Sequence, residues 1–265
     1  MMSRLSLTAL RKMKAAQEKI AVLTAYDASF SHALEQAGVD VILVGDSLGM
    51  VIQGQESTLP VTVGDMIYHT ANVIRGSETA FVIVDMPFMS YANDQQAIAN
   101  AARLMAEGGA QMVKLEGGAV IADTVAQLTG RGIPVCAHLG LLPQSVHRLG
   151  GYIVQGRKEQ AAEELLADAI TLQQAGADML VLECVPATLA ARVTQQLSIP
   201  VIGIGAGKDC DGQVLVLYDM LGLTPGKRPR FSHDFLADTG AIQSAVTKYV
   251  QDVKTGRFPT PEQQF

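Results

Sequence analysis

One kind of unit recurs eight times along this chain: a short apolar run, a polar or glycine-rich turn, then an amphipathic stretch. The runs fall at 20–24, 41–45, 81–85, 112–116, 134–138, 179–183, 201–205 and 214–218. Short, nearly all-apolar runs suit parallel strands buried on both faces. Helix candidates at 29–37, 63–75, 94–107, 120–129 and 159–175 each stop at glycine, the expected C-terminal signal. The phrases EQAGVD, AEGGAQ and QQAGAD are near-copies of one event, a helix stopping and a buried strand starting. Eight such alternations imply parallel strands joined by crossovers. Eight units within about 200 residues favour closure into a (β/α)8 barrel over an open sheet. The tightest place is 201–218, which leaves room for only a very short helix between the last two strands. An extra N-terminal helix at 8–18 is expected to cap the bottom of the barrel, and 234–253 reads as one final helix.

Composition agrees with a single barrel domain over 1–265. Apolar residues make up 48% of the chain and charged residues 17%, which supplies a large core and excludes disorder. The net charge of −6 argues against a nucleic-acid partner, which would call for a basic face. No apolar run approaches the roughly 18 residues of a membrane span, and the start lacks the apolar core of a secretory signal. Cys136, Cys184 and Cys210 are odd in number and far apart, so reduced thiols in a cytoplasm are expected.

The polar residues of the runs collect at their C-terminal ends. These are Asp46 and Ser47, then Asp85, Lys114 and Glu116, His138, and Glu183. In a (β/α)8 barrel these ends share the rim that carries the active site. Lys114 and Glu116 are two residues apart and so point to one face of their strand. Asp46, Asp85 and Glu116 offer hard oxygen ligands, suited to Mg2+ rather than Zn2+; the plainer reading is that each caps the helix after its strand. Cys136 and His138 have no second pair at zinc-finger spacing, and Cys136 reads as a small core residue. Lys114 is a Schiff-base nucleophile, a partner for an anion, or a core-edge lysine. Glu183 follows Met-Leu-Val-Leu, and an apolar setting favours a general base; the alternative is a cap for the next helix. His138 is either a structural histidine or a donor to substrate. The Gly203–Gly207 stretch is not a dinucleotide fingerprint. It reads as an anion cradle or as close passage of the backbone past a ligand. The long loop around Gly150–Arg157 reads as a lid, a structural excursion or a subunit contact.

Short motifs in one order carry a resemblance. They are Leu23-Thr-Ala-Tyr-Asp27, Val44-Gly-Asp-Ser-Leu-Gly-Met50, Ser57-Thr-Leu-Pro-Val-Thr62, Asp85-Met-Pro-Phe-Met89, Val113-Lys-Leu-Glu-Gly-Gly118, Ala137-His-Leu-Gly140, Gly150-Gly-Tyr152, Leu182-Glu-Cys-Val-Pro186 and Ile202-Gly-Ile-Gly-Ala-Gly207. From about Leu7 to Phe258 the chain resembles the ketopantoate hydroxymethyltransferase family. The resemblance implies a barrel of the phosphoenolpyruvate/pyruvate-binding type. It implies transfer of a hydroxymethyl group from 5,10-methylenetetrahydrofolate to 3-methyl-2-oxobutanoate in pantothenate biosynthesis, through an enolate stabilised by one Mg2+ per subunit. Carried over by motif, Asp46 and Asp85 bind the metal and Glu116 completes or supports it. Ser47, Asp85 and Lys114, with Asp46 and His138 beside them, contact the oxoacid, and Glu183 is the base. The resemblance also implies a cytoplasmic homo-oligomer, a decamer in the family. A rival expectation is an oxoacid C–C lyase or phosphomutase of the same barrel group, working without folate. Another is a non-catalytic metabolite-binding barrel.

Overall fold

The computed structural model describes residues 4–224 and 226–265. Eight parallel strands close in chain order into one barrel: β1 (Ile20–Thr24), β2 (Val41–Val44), β3 (Phe81–Asp85), β4 (Met112–Glu116), β5 (Val135–Gly140), β6 (Met179–Glu183), β7 (Val201–Ile204) and β8 (Gly212–Leu215), with β8 pairing back to β1. The helices expected between strands form at Ala28–Gln36, Val63–Gly76, Asp94–Ala106, Ala122–Thr129 and Glu159–Gln174, and another forms at Ala187–Gln196. Each lays its apolar stripe on the outside of the barrel. Two cores result, one between sheet and helices and one inside the barrel.

The inner core fixes which strand residues face the axis. Side chains alternate along a strand, so if Phe81 and Ile83 point inward, Asp85 does too. By the same rule Met112 carries Lys114 and Glu116 inward, Cys136 carries His138, and Met179 and Val181 carry Glu183. The apolar layers fill the bottom of the barrel, and the polar residues form the next layer up. The helix Leu7–Ala15 closes the bottom by burying Leu10 and Met13 against that inner core, with Ser6 capping its N-terminus.

Two expectations about the C-terminal third are corrected. The last strand is Gly212–Leu215 rather than 214–218. Gly212 and Gln213 lack an apolar strand signature, yet Gln213 is buried and its Nε2 donates to the Gly207 carbonyl at 2.9 Å. The chain leaves the sheet where the Leu217 N–H donates to Thr24 Oγ1 at 3.0 Å, and a helical turn, Leu217–Met220, follows. The tail is two helices, Phe235–Thr239 and Ile242–Lys254, because Gly240 turns left-handed (φ 73°) between them. The second packs Ala245, Val246, Tyr249, Val250 and Val253 into the outer core, and the Tyr249 hydroxyl donates to the Val22 and Gln213 carbonyls.

Candidate active site

All seven singled-out residues, Asp46, Ser47, Asp85, Lys114, Glu116, His138 and Glu183, line one cavity of about 810 Å3 at the C-terminal rim. Strand register sets their spacing. Asp85 on β3 pairs with Lys114 on β4, Glu116 on β4 with His138 on β5, and Glu183 on β6 with Gly140 on β5. Asp46 and Ser47 arrive differently, on the turn after β2. Gly45 makes that turn possible, since a Cβ there would lie 2.8 Å from Ser47 Oγ. The Asp46 N–H donates to Asp85 Oδ2 at 3.0 Å, and Ser47 Oγ shares a 2.9 Å hydrogen bond with the Tyr26 hydroxyl.

The residues form one continuous polar chain. Lys114 Nζ lies 3.2 Å from Asp85 Oδ1 and 3.2 Å from His138 Nδ1. His138 Nδ1 lies 3.4 Å from Glu116 Oε1, and His138 Nε2 lies 3.2 Å from Glu183 Oε2. The Lys114–Asp85 and His138–Glu183 contacts lack hydrogen-bond alignment. Asp85 Oδ1 and His138 Nε2 are therefore buried without a hydrogen-bond partner among the described residues. A buried polar atom with no partner is costly, so both are places where a bound group adds a contact. Glu183 does not sit in the purely apolar setting its strand implied: the imidazole of His138 lies beside it.

Charge is unbalanced in this layer. Burial opposes the charged form of Lys114, but Asp85, Glu116 and Asp46 outweigh it and raise its pKa, so the ammonium stays charged. A neutral amine for Schiff-base chemistry is thus disfavoured, and the anion-partner reading of Lys114 is the one the surroundings support. Burial pushes Asp46 well above the usual carboxylate range, and the Asp85 and Glu116 charges add to it. Burial also raises Asp85, although Lys114 and the Asp46 N–H pull the other way. Burial would raise Glu116 as well, but His138, Lys114 and the Gln144 N–H hold it low. Burial and Lys114 work against a charged His138, yet Glu116 and Glu183 win and raise it.

This donor set fits a hard divalent cation. It is all oxygen, Asp85 Oδ1 is unpartnered, and Asp46 and Asp85 crowd each other at a cost that a cation would relieve. Glu116 is otherwise engaged, with Oε1 toward His138 and Oε2 accepting from the Gln144 N–H at 3.0 Å. Among the described residues, no three His, Cys, Asp or Glu side chains cluster tightly enough to hold a metal alone. Two carboxylates completed by water and substrate oxygens is the common Mg2+ arrangement.

Sequence reasoning missed Gln144. It is buried, and its Nε2 donates to Asp46 Oδ2 at 2.8 Å and to the Met86 carbonyl at 3.0 Å. Its Oε1 accepts from the Tyr91 hydroxyl at 2.7 Å. A lone glutamine in a loop carries no motif or period, so only the fold reveals it. The Gly203–Gly207 stretch packs against the protein itself: a Cβ on Gly205 would meet the Phe231 ring at 3.0 Å, and one on Gly207 would meet Ala187 at 2.5 Å. The long loop comes to the cavity through Tyr152 and Val154.

A closed (β/α)8 barrel with four carboxylates, one ammonium and one imidazole at its catalytic rim defines an enzyme doing acid–base chemistry on a small anionic substrate. The family model for ketopantoate hydroxymethyltransferase matches residues 4–261. The 3-methyl-2-oxobutanoate hydroxymethyltransferase of Nitrosococcus oceani is 65% identical over 261 residues, 98% of this chain and 99% of that relative. The same-named protein of Nitrosospira multiformis is 62% identical, covering 96% and 97%. The chain belongs to the ketopantoate hydroxymethyltransferase family. Among solved structures, a phosphonopyruvate hydrolase in complex with oxalate and Mg++ superposes with a TM-score of 0.62 at 12% identity, covering 97% of this chain and 92% of that one. The rival group of the same barrel type therefore shares the fold.

Proposed function

We propose that this chain transfers a hydroxymethyl group from 5,10-methylenetetrahydrofolate to 3-methyl-2-oxobutanoate, giving 2-dehydropantoate for pantothenate biosynthesis. The observation that carries the mechanism is the order of the groups along the polar chain. Asp46, Asp85 and Lys114 come at one end of it, and the His138–Glu183 pair, from β5 and β6, at the other. Asp46 and Asp85 would hold Mg2+, with Glu116 supporting from behind through His138 and Gln144. Bound Mg2+ would supply Lewis-acid polarisation of the oxoacid's keto oxygen. Lys114 offsets the negative charge of the oxoacid as its C3–H bond breaks, and Ser47 donates to the same anion. Glu183 accepts the C3 proton, and His138 holds that carboxylate in place. The carbanion centre then bonds to the methylene carbon. Both carbon–nitrogen bonds of that methylene break, water supplies the product hydroxyl, and the two folate nitrogens take the proton from C3 and the one left from water.

The test is turnover of the two substrates with and without metal. Chelator is expected to abolish product formation and added Mg2+ to restore it, while Asp85→Asn weakens Mg2+ binding measured by calorimetry. Full activity in excess chelator would contradict the metal assignment.

A further inference from the structure

The cavity is far larger than a five-carbon oxoacid requires; about 810 Å3 is the scale of a site for a drug-sized ligand. Its polarity changes from floor to mouth. The floor is acidic, whereas three cations within four residues, Lys227, Arg228 and Arg230, line the mouth of a chain whose net charge is −6. Between them the wall is largely apolar, with Leu141, Tyr152, Val154 and Phe231. Tyr152 is 57% exposed, an aromatic face left uncovered at the entrance.

The cations are held in different ways. Arg230 Nε donates to the Glu262 carbonyl at 3.0 Å, and its guanidinium stacks 5.3 Å above the Phe265 ring. Arg228 Nη1 lies 3.3 Å from Asp234 Oδ2. Lys227 is exposed and has no carboxylate within ion-pair distance among the described residues. A cationic mouth above an acidic floor suits a long ligand with its anionic end outside.

We propose that Lys227 and Arg228 form the subsite for the carboxylate tail of the folate co-substrate, with Tyr152 and Phe231 flanking its ring system and its methylene carbon directed at the floor. The proposal rests on the reaction assigned above and adds where the second substrate binds. Arg230, fixed by Phe265 and Glu262, holds the segment in place. The tail carries more than one carboxylate and the oxoacid only one, so the basic segment discriminates between the two substrates.

Steady-state kinetics of the full chain test this, using methylenetetrahydrofolate with one and with three glutamates. Lys227→Glu is expected to raise KM for the folate by about three- to tenfold, more for the triglutamate, with kcat and the oxoacid KM unchanged. Arg228→Ala is expected to act in the same direction, and Lys227→Arg to behave as wild type. Exchange of the oxoacid C3 hydrogen with D2O, which needs no folate, is expected to stay at the wild-type rate in Lys227→Glu. Normal wild-type turnover with an unchanged folate KM in both Lys227→Glu and Arg228→Ala overturns this subsite alone. Wild type without folate-dependent turnover overturns the assigned reaction and the subsite with it.

Discussion

Gln144 ties Asp46 and Glu116 together at the rim. One amide group donates to Asp46 and to the Met86 carbonyl, while the backbone N–H of the same residue engages Glu116. Holding Asp46 by Oδ2 fixes how its other oxygen is presented. Partners behind metal-binding carboxylates typically change affinity by about 10- to 100-fold when removed. Gln144→Ala is therefore expected to weaken Mg2+ binding within that range, measured by calorimetry on protein whose thermal unfolding shows it folded. Unchanged affinity would mean that Asp46 is oriented by something else. At this scale much of the site was legible. Asp85, Lys114, Glu116, His138 and Glu183 each end an apolar run, and the two-residue period sends them inward with the apolar residues before them. Gln144 was illegible because its importance comes from where a loop folds, and loops have no period to read. The setting of Glu183 was misjudged for a related reason: its own strand is apolar, and the imidazole beside it comes from the neighbouring one.

Between elements, Glu35 shows how a helix end is tied to the strand after next. From the helix Ala28–Gln36 its carboxylate accepts from the Ser77 hydroxyl at 2.7 Å and from the N–H groups of Glu78, Thr79 and Ala80. These residues lead into β3. Burial would raise the Glu35 pKa, but the hydrogen bonds outweigh it and hold it at about 2. The folded pKa lies below the unfolded value of about 4.3, so this stabilisation is present above that value and is lost as pH falls toward 2. Glu35→Gln is expected to lower stability at neutral pH by on the order of 1 kcal/mol, less than the shift alone implies because water screens the carboxylate. Denaturant unfolding should show the gap from wild type closing between about pH 4 and 2. A constant gap would contradict the clamp. The element boundaries themselves followed the glycine stops closely. They failed where a boundary depends on tertiary contacts: Thr24 ends the last strand from the neighbouring β1, and Gly240 breaks what reads as a continuous amphipathic helix.

For the whole molecule, eight repeats and the barrel length made closure legible, whereas the shape of the cavity mouth was not, because it is built from three separate loops. The surface also argues for self-association. Val120 is 89% exposed, Met89 57% and Phe88 44%, all on the segments that follow β3 and β4. The helix Ile242–Lys254 does not serve for this, because it buries its apolar face in its own barrel. Sedimentation is expected to show a homo-oligomer, and a sole species of 28.1 kDa would contradict this. The central claim is that one carboxylate, Glu183, removes the C3 proton of an oxoacid held against Asp46, Asp85 and Lys114. Proton NMR of 3-methyl-2-oxobutanoate in D2O, with enzyme and Mg2+ but no folate, measures that step alone. Wild type is predicted to exchange the C3 hydrogen, and Glu183→Gln to exchange it more slowly by roughly 100-fold or more, with Mg2+ affinity nearly intact. Exchange by Glu183→Gln at the wild-type rate would contradict the account and move the search for the base to His138.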